Sequence, residues 1–180
     1  MKTRIIIIVL SVLLVLSLAF NAIMVYRELN RWEITTEYMV DAGDLAPDFS
    51  VQLLSGETFT LSEHRGTVVV LDFWATWCGP CVAKMPSMQT LSEQFADDVV
   101  FVGINVGESP QRVQEFIAEQ GFTYPVGLDE NADIHRELYP SPGIPYTVII
   151  NGDGIITETF LGGGEHMQGL IEDAILEALR

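Results

Sequence analysis

Buried strands alternate with helix-forming stretches over most of the chain. Two apolar runs, Val68–Phe73 and Val99–Asn105, do not alternate with polar residues as a half-exposed strand would, so they predict strands buried on both faces. An alternating stretch from Phe49 to Leu61, broken by Ser55-Gly56, predicts a β-hairpin before them. Further strands are expected around Tyr124–Leu128, at Thr147–Ile150 and at Ile155–Leu161. The last two flank Asn-Gly-Asp-Gly, which predicts a tight turn.

Helical patterns occupy the segments between these strands. Apolar residues recur at helical spacing after Cys78, and Pro86 should kink that helix. Ser109-Pro110 has the residue types of an N-cap and a first helical position, and Gly121 should end the helix that follows. Two more helices are expected, at about Ala132–Leu138 and at Glu165–Leu179. Strands interleaved with helices predict an α/β domain whose mixed sheet is covered on both faces.

The N-terminus has a different pattern. An apolar stretch from Ile5 to Tyr26 is interrupted by two serines and one asparagine, and as a helix it would be about 33 Å long, enough to cross a bilayer core. We expect an uncleaved transmembrane signal-anchor within residues 1–26, a linker at 27–40 and a domain at 41–180. The alternative is a signal peptide cleaved near Ser17-Leu18-Ala19. Both interpretations place the domain outside the cytoplasm.

Charge restricts the classes of partner. The chain has 25 Asp and Glu residues against 9 Lys and Arg, a formal net charge of −16 at pH 7. Because binding to a phosphate backbone requires a cationic surface, nucleic acid is excluded as a partner. The acidic surface is expected to keep the domain soluble through self-repulsion, and adaptation to a saline external medium is the alternative interpretation.

The candidate reactive groups are the two cysteines of the chain, Cys78 and Cys81, in the run WATWCGPC at 74–81. Two thiols three positions apart at a strand-to-helix turn can close a short disulfide loop. The unpaired N–H groups of a helix N-terminus stabilise a thiolate at Cys78, and that thiolate is the nucleophile of thiol–disulfide exchange. Zinc is not expected, because the chain has no second cysteine pair and its histidines lack ligand spacing: His64, His135 and His166. These histidines are assigned to surface or turn roles, and no cofactor is predicted.

Short motifs accompany the cysteine pair: APDF at 46–49, FWATWCGPC at 73–81, NVGES at 105–109 and GIP at 143–145. Together they resemble the TlpA/ResA-like branch of membrane-anchored thiol–disulfide oxidoreductases. The resemblance implies a thioredoxin fold, in which a central mixed β-sheet is flanked by helices. It also implies an N-terminal β-hairpin extension and a helix–strand insert at about Val106–Gly127, preceded by one transmembrane helix.

The resemblance also assigns roles to residues of the site. Cys78 corresponds to the attacking cysteine and Cys81 to the resolving one, and together they form the redox disulfide. Pro145 corresponds to the cis-proline that lies against the active site, an ordinary trans proline being the alternative. The Ile144 backbone would pair with a substrate chain. The other residues expected to contact a partner are Trp77, Gly79, Pro80 and Gly162.

Two acidic residues are further catalytic candidates. Asp72 lies inside an apolar strand, where burial is costly unless the carboxyl has a partner or a function. It matches the buried acid of thioredoxin that accepts the proton of the resolving thiol, whereas many TlpA/ResA-like proteins have Asn there. The lysine that neighbours this acid in thioredoxin is replaced by Gly103. Glu108 matches an acidic residue near the active site of ResA-like proteins, and the alternative is a water-facing acid at a helix N-terminus.

The predicted function is an extracytoplasmic, membrane-anchored reductase of protein disulfides. Gly79-Pro80 is the dipeptide of thioredoxin, a reductant with a potential near about −270 mV. The resemblance implies apocytochrome c as a substrate and a membrane electron donor of the CcdA/DsbD type. One alternative is a peroxiredoxin-like thiol peroxidase, which shares the APDF opening but would require Thr in place of Ala75. The other is a holdase that binds partners without cysteine chemistry.

Overall fold

The computed structural model describes residues 14–26, 39–164 and 167–180. Its contacts divide the chain into two compact units, Met1–Tyr38 and Met39–Arg180. In the first unit, residues 14–26 are helical and exposed. No helix in these described ranges combines the length and the apolar character needed to cross a membrane. The rest of the predicted anchor and most of the predicted linker lie outside the described residues, so both stay predictions.

A five-stranded mixed sheet forms the centre of the second unit. Its strands are β3 (Val68–Trp74), β4 (Val99–Val106), β5 (Val126–Asp129), β6 (Tyr146–Ile150) and β7 (Ile156–Leu161). The order across the sheet is β5-β4-β3-β6-β7, in which β3 pairs in parallel with β4 and antiparallel with β6. The predicted central mixed sheet is thereby confirmed, and β5 begins two residues later than the sequence pattern indicated.

A separate antiparallel pair precedes the sheet, and a bridge attaches it to an edge strand. It consists of β1 (Ser50–Gln52) and β2 (Thr58–Thr60), with Val51 opposite Phe59. A bridge between Leu53 and Gly127 connects this hairpin to β5. A Cβ on Gly127 would lie 2.8 Å from Val51 Cγ1, so a glycine at this position allows the hairpin to pack closely against β5.

The α-helices of the second unit are α1 (Gly79–Gln94), α2 (Pro110–Gln120) and α3 (Met167–Ala178), and α1 continues through Pro86. At the start of α2, the Ser109 side chain accepts the N–H of Arg112 as an N-cap. Gly121 ends α2 with φ of +76°, a left-handed conformation that glycine adopts without steric cost.

The brief helix that the sequence predicted near residue 135 is a π-helical turn at Ile134–Leu138. The N–H of Tyr139 donates to the Ile134 carbonyl five residues earlier, at 3.0 Å. The turn is held at its start by the Asp129 carboxylate, which accepts the N–H groups of Ile134 and His135 at 3.2 and 2.9 Å. The Asp129 carboxylate therefore caps the start of this turn.

Two apolar clusters cover the faces of the sheet, and β3 is buried at every residue as predicted. Val70 and Trp74 of β3 pack with α1 and α3, whereas Leu71 and Phe73 pack with the hairpin and with Tyr139. Since alternate residues of a strand point to opposite faces, Asp72 faces the α1 side. The central strand therefore ends directly before the cysteine loop, with a helix above it.

Candidate active site

Cys78 and Cys81 form a disulfide at the N-terminus of α1, with their Cα atoms 5.2 Å apart. Cys78 is the N-cap of the helix, and its sulfur accepts the N–H of Cys81 at 3.2 Å. Pro80 fits the first helical turn, where its missing N–H would have had no intrahelical partner. Neither cysteine is more than 5% exposed, whereas the neighbouring Trp77 is 71% exposed. This geometry stabilises a thiolate at Cys78 once the disulfide is reduced.

The loop before β6 lies against the disulfide. The Ile144–Pro145 peptide bond is cis, and the Ile144 carbonyl oxygen is 3.6 Å from Cys78 Sγ. The N–H of Gly162 donates to the Pro145 carbonyl at 2.8 Å, which holds the end of β7 beside the same loop. The structure therefore gathers around Cys78 the residues that the sequence predicted to contact a partner; their role in binding stays a prediction.

Gly163 also lies beside the cysteine loop, and the sequence analysis did not single it out. A Cβ on Gly163 would lie 2.7 Å from the Pro80 carbonyl oxygen and 3.4 Å from Pro145 Cγ. Since a Cβ at 2.7 Å from a backbone atom would force the chain to shift, only glycine permits this approach. Gly163 thus allows the end of β7 to contact both the cysteine loop and the cis-proline.

Asp72 has a buried basic partner. The Lys84 ammonium donates to Asp72 Oδ1 at 2.5 Å and to the Thr147 hydroxyl at 2.8 Å, and that hydroxyl is 3.0 Å from the same carboxylate oxygen. Asp72 is 3% exposed and Lys84 1%. The sequence interpretation found no lysine beside Asp72 and missed Lys84. A signal was present, because the one lysine of residues 41–180 lies three residues after Cys81, on the helix face that carries buried Met85 and Met88.

Gly103 lies on β4 directly opposite Asp72, at a position where the neighbouring side chains leave no space for a lysine. Its Cα is the register partner of Asp72 across the β3–β4 pair. A Cβ there would lie 2.9 Å from Tyr124 Cε2 and 3.1 Å from Trp74 Nε1, so two aromatic rings fill the space beside it. Burial, with a smaller contribution from the Asp72 charge, raises the pKa of Tyr124, and this phenol stays neutral. The cation therefore comes from α1 above the sheet instead of from β4.

Glu108 holds the cysteine loop in place through both carboxylate oxygens. It accepts the Thr76 N–H at 2.7 Å, the Thr76 hydroxyl at 2.6 Å and the Asn105 side-chain amide at 2.8 Å. Arg112 Nε adds a longer contact to the Thr76 hydroxyl at 3.3 Å. Glu108 is half-buried, so this arrangement differs from that of a water-facing acid at a helix N-terminus. It connects β4 to the residue two positions before Cys78.

The two histidines that the structure describes are not grouped around the cysteines. His64 stacks on Phe59 in the hairpin region, with ring centroids 4.7 Å apart. His135 lies in the π-helical turn and is hydrogen-bonded to Ser141 of the loop that leads to the cis-proline. Its pKa is lowered mainly by burial, an effect opposed by the nearby Asp129 charge. His166 lies outside the described residues.

Comparison with known proteins agrees with this geometry. The sequence profile of the Redoxin family matches residues 41–177. The thioredoxin-like protein YneN of Bacillus subtilis is 32% identical over 158 residues, which covers 84% of this chain and 88% of YneN. The thiol-disulfide oxidoreductase ResA of Oceanobacillus iheyensis is 36% identical over 138 residues, which covers 73% of this chain and 71% of ResA. The crystal structure of a protein named thiol:disulfide interchange protein DsbE, from Chlorobium tepidum, has a TM-score of 0.71 at 30% identity, covering 78% of this chain and 99% of that one.

These matches extend over most of the second unit rather than over the cysteine motif alone, and they agree with a disulfide formed at the start of α1. A shared fold by itself would leave the chemistry open, but the disulfide-forming pair supplies the reactive group that the relatives' names describe. The chain therefore belongs to the Redoxin family and is a TlpA/ResA-like thiol–disulfide oxidoreductase of the thioredoxin fold.

Proposed function

We propose that this oxidoreductase is a membrane-anchored reductase of disulfides in exported proteins. The observation that carries the proposal is the Cys78–Cys81 disulfide at a helix N-terminus, 3.6 Å from the carbonyl that precedes a cis-proline. The attacking sulfur of Cys78 therefore lies next to the Ile144 backbone, with which an extended partner chain could pair. The Gly79-Pro80 dipeptide between the cysteines and the name of the ResA relative support this function.

The exchange takes place in two displacement steps. The Cys78 thiolate attacks one sulfur of the partner disulfide; a new S–S bond forms, and the partner's other sulfur leaves as a thiolate that takes a proton from solvent. Cys81 then transfers its thiol proton to the Asp72 carboxylate and attacks Cys78. The Cys78–Cys81 disulfide forms, and the second partner sulfur leaves as a thiolate that takes up a proton. Asp72 releases the proton that it accepted, and two electrons have passed from the protein to its partner.

Lys84 keeps the charge of the buried site balanced during the second step. Before the proton transfer its ammonium is paired with the Asp72 carboxylate at 2.5 Å. After the transfer the negative charge is on the Cys81 thiolate, three residues earlier on the same helix. A buried cation without a counter-charge is costly. Because the Lys84 ammonium has a negative partner both before the proton transfer, on Asp72, and after it, on Cys81, the free energy of this step is lowered.

The reducing direction predicts a low potential. We expect the Cys78–Cys81 couple to equilibrate near about −270 mV, as thioredoxin does. The measurement is equilibration of the full-length protein with dithiothreitol redox buffers, followed by Trp77 and Trp74 fluorescence. Cys78→Ser, which has no disulfide to reduce, controls for direct effects of the buffer. A potential near about −120 mV, typical of strong oxidants, would contradict the reductase function.

The proposed substrate is apocytochrome c, with electrons supplied by a membrane donor of the CcdA/DsbD type. The support is the likeness to ResA and DsbE proteins together with the proposed location. The peroxidase alternative gains no support from the site, because Ala75 is fully buried and has no hydroxyl where the peroxidase signature requires threonine. The disulfide itself favours exchange chemistry over a holdase.

The proposed location has its own test. We expect the full-length chain, expressed in a bacterium, to sediment with membranes and to remain there after alkaline carbonate washing, because residues 5–26 form a long apolar segment. Protease added to spheroplasts should digest the domain. A chain that begins at Met39 is the matched control and should be released into the soluble fraction. Carbonate extraction of the full-length chain, or protection from protease, would contradict anchoring with an external domain.

A further inference from the structure

The loop that carries the cis-proline is held mainly by side chains. Three of its residues are prolines, which have no backbone N–H to donate: Pro140, Pro142 and Pro145. Within the described residues, residues 140–144 take part in no backbone–backbone hydrogen bond. Residues 146–150 after the loop are in β6, and Tyr139 before it is anchored through its hydroxyl to the Pro47 carbonyl at 2.6 Å. The loop therefore needs other contacts to define its position.

Two hydrogen bonds in series provide such contacts. The Ser141 hydroxyl is 2.7 Å from the Gly143 carbonyl oxygen, and His135 Nε2 is 2.9 Å from the same hydroxyl. A carbonyl oxygen can only accept, so the single hydroxyl proton of Ser141 is donated to Gly143. Ser141 must then accept from His135, which places a proton on Nε2. The bonds therefore run in one direction, from the imidazole to the hydroxyl and from the hydroxyl to the Gly143 carbonyl.

The first member of this series is fixed to the sheet. The His135 N–H donates to the Asp129 carboxylate at the end of β5, and its ring centroid is 5.5 Å from that of Phe73 in β3. Asp129 is buried. The Nε2 proton is present in both the neutral and the charged imidazole, so the donor persists on either side of the histidine titration. The series therefore connects two strands of the core to the cis-proline loop in either charge state of the imidazole.

We propose that His135 and Ser141 are positioning residues for the partner-binding segment, and that they set the affinity for a polypeptide substrate. Gly143, the acceptor of the series, directly precedes Ile144, whose carbonyl lies 3.6 Å from Cys78 Sγ. A partner that docks as an extended segment against Ile144–Pro145 requires this backbone in a defined place. A small reagent that meets only the sulfur does not. The inference rests on the proposed partner-binding role of Ile144–Pro145.

The test separates affinity for a polypeptide from reactivity of the sulfur. In full-length protein, Ser141→Ala and His135→Leu should raise KM for insulin disulfide reduction about three- to tenfold, and tenfold corresponds to about 1.4 kcal/mol. The kcat, and the rate at which iodoacetamide alkylates reduced Cys78, should stay within about twofold, because the helix N-terminus at Cys78 is untouched. His135→Gln, whose amide can donate in place of Nε2, should restore KM. Ser141→Ala is sufficient by itself if His135→Leu does not fold.

Two further variants make the result decisive. Ser92→Ala removes a hydroxyl-to-carbonyl bond of 2.8 Å near the far end of α1, about 20 Å along the helix from Cys78, and should leave KM unchanged. Pro145→Ala tests the partner-binding segment itself. A raised KM in Pro145→Ala with none in Ser141→Ala would overturn the positioning role and leave the proposed function standing. An unchanged KM in Pro145→Ala would overturn the role of the segment. If Ser141→Ala or His135→Leu slowed alkylation of Cys78 by the same factor by which it raised KM for insulin, the series would act on Cys78 itself. That result would also overturn the proposal.

Discussion

Cys81→Ala is expected to accumulate mixed disulfides at Cys78 and to lose turnover by roughly 10³-fold or more. Cys81 lies 5.2 Å from Cys78 between Cα atoms, so in the native protein its thiolate resolves the mixed disulfide as an intramolecular reaction. Without it, resolution depends on collision with an external thiol, and the large effective concentration of the tethered group is lost. Attack by Cys78 remains possible, because its N-cap position is unaltered.

The captured partners identify the substrate. The variant is expressed in cells, free thiols are blocked with acid and alkylating agent, and the disulfide-linked partners are released with reductant and identified by mass spectrometry. Cys78→Ser combined with Cys81→Ala is the matched control and should capture none. Recovery of apocytochromes would support the proposed substrate, whereas an unrelated set of exported proteins would contradict it. Failure to capture any partner would contradict the assignment of Cys78 as the attacking cysteine.

Lys84→Met is expected to lower the free energy of unfolding by about 3–5 kcal/mol, as when one partner of a buried ion pair is removed. Methionine fills a similar volume, but it leaves the Asp72 carboxylate 3% exposed with Thr147 as its remaining hydrogen-bond donor. The loss should therefore come from the uncompensated charge more than from a cavity. Urea denaturation of the oxidised full-length protein in detergent measures it.

A double-mutant cycle tests this cause. Adding Asp72→Asn to Lys84→Met removes the uncompensated charge, so we expect the two changes to couple favourably by roughly 2 kcal/mol. Arg136→Met removes an exposed ion pair with Asp133, at 3.4 Å and with both side chains more than half exposed, together with the arginine's hydrogen bonds to two backbone carbonyls, and should cost at most about 1 kcal/mol. If Lys84→Met cost no more than Arg136→Met, the buried pair would contribute nothing that an exposed one does not.

Local sequence patterns were sufficient to predict the buried strand β3 and the ends of helix α2. The apolar run of β3 predicted a strand buried on both sides, and Ser109, Pro110 and Gly121 predicted the ends of α2. Each of these signals lies within a few residues of the feature that it specifies. The sequence also predicted a brief helix after β5, but not its π-helical form. Apolar spacing does not distinguish a hydrogen bond to the carbonyl five residues earlier from one to the carbonyl four residues earlier.

The partners of the buried polar groups required the tertiary structure. The sequence placed Asp72 in a strand and Lys84 in a helix, but their 2.5 Å contact depends on the angle at which α1 crosses the sheet. Local propensity carries no information about that angle. Local propensity also gave no sign that Gly163 approaches Pro80 closely, or that hydrogen bonds connect His135 to the cis-proline loop.

The reactive disulfide of this protein is specified by residues that are neighbours in the chain, whereas the groups arranged around it come from distant segments. Two cysteines three positions apart after a buried strand, with Gly79-Pro80 between them, specify a disulfide at a helix N-terminus because spacing and helix geometry alone bring the sulfurs together. The counter-charge of Asp72 and the position of the loop beside Cys78 were decided by packing between distant segments. Covalent reactivity follows from neighbours in the chain, whereas charge balance and partner position follow from neighbours in space.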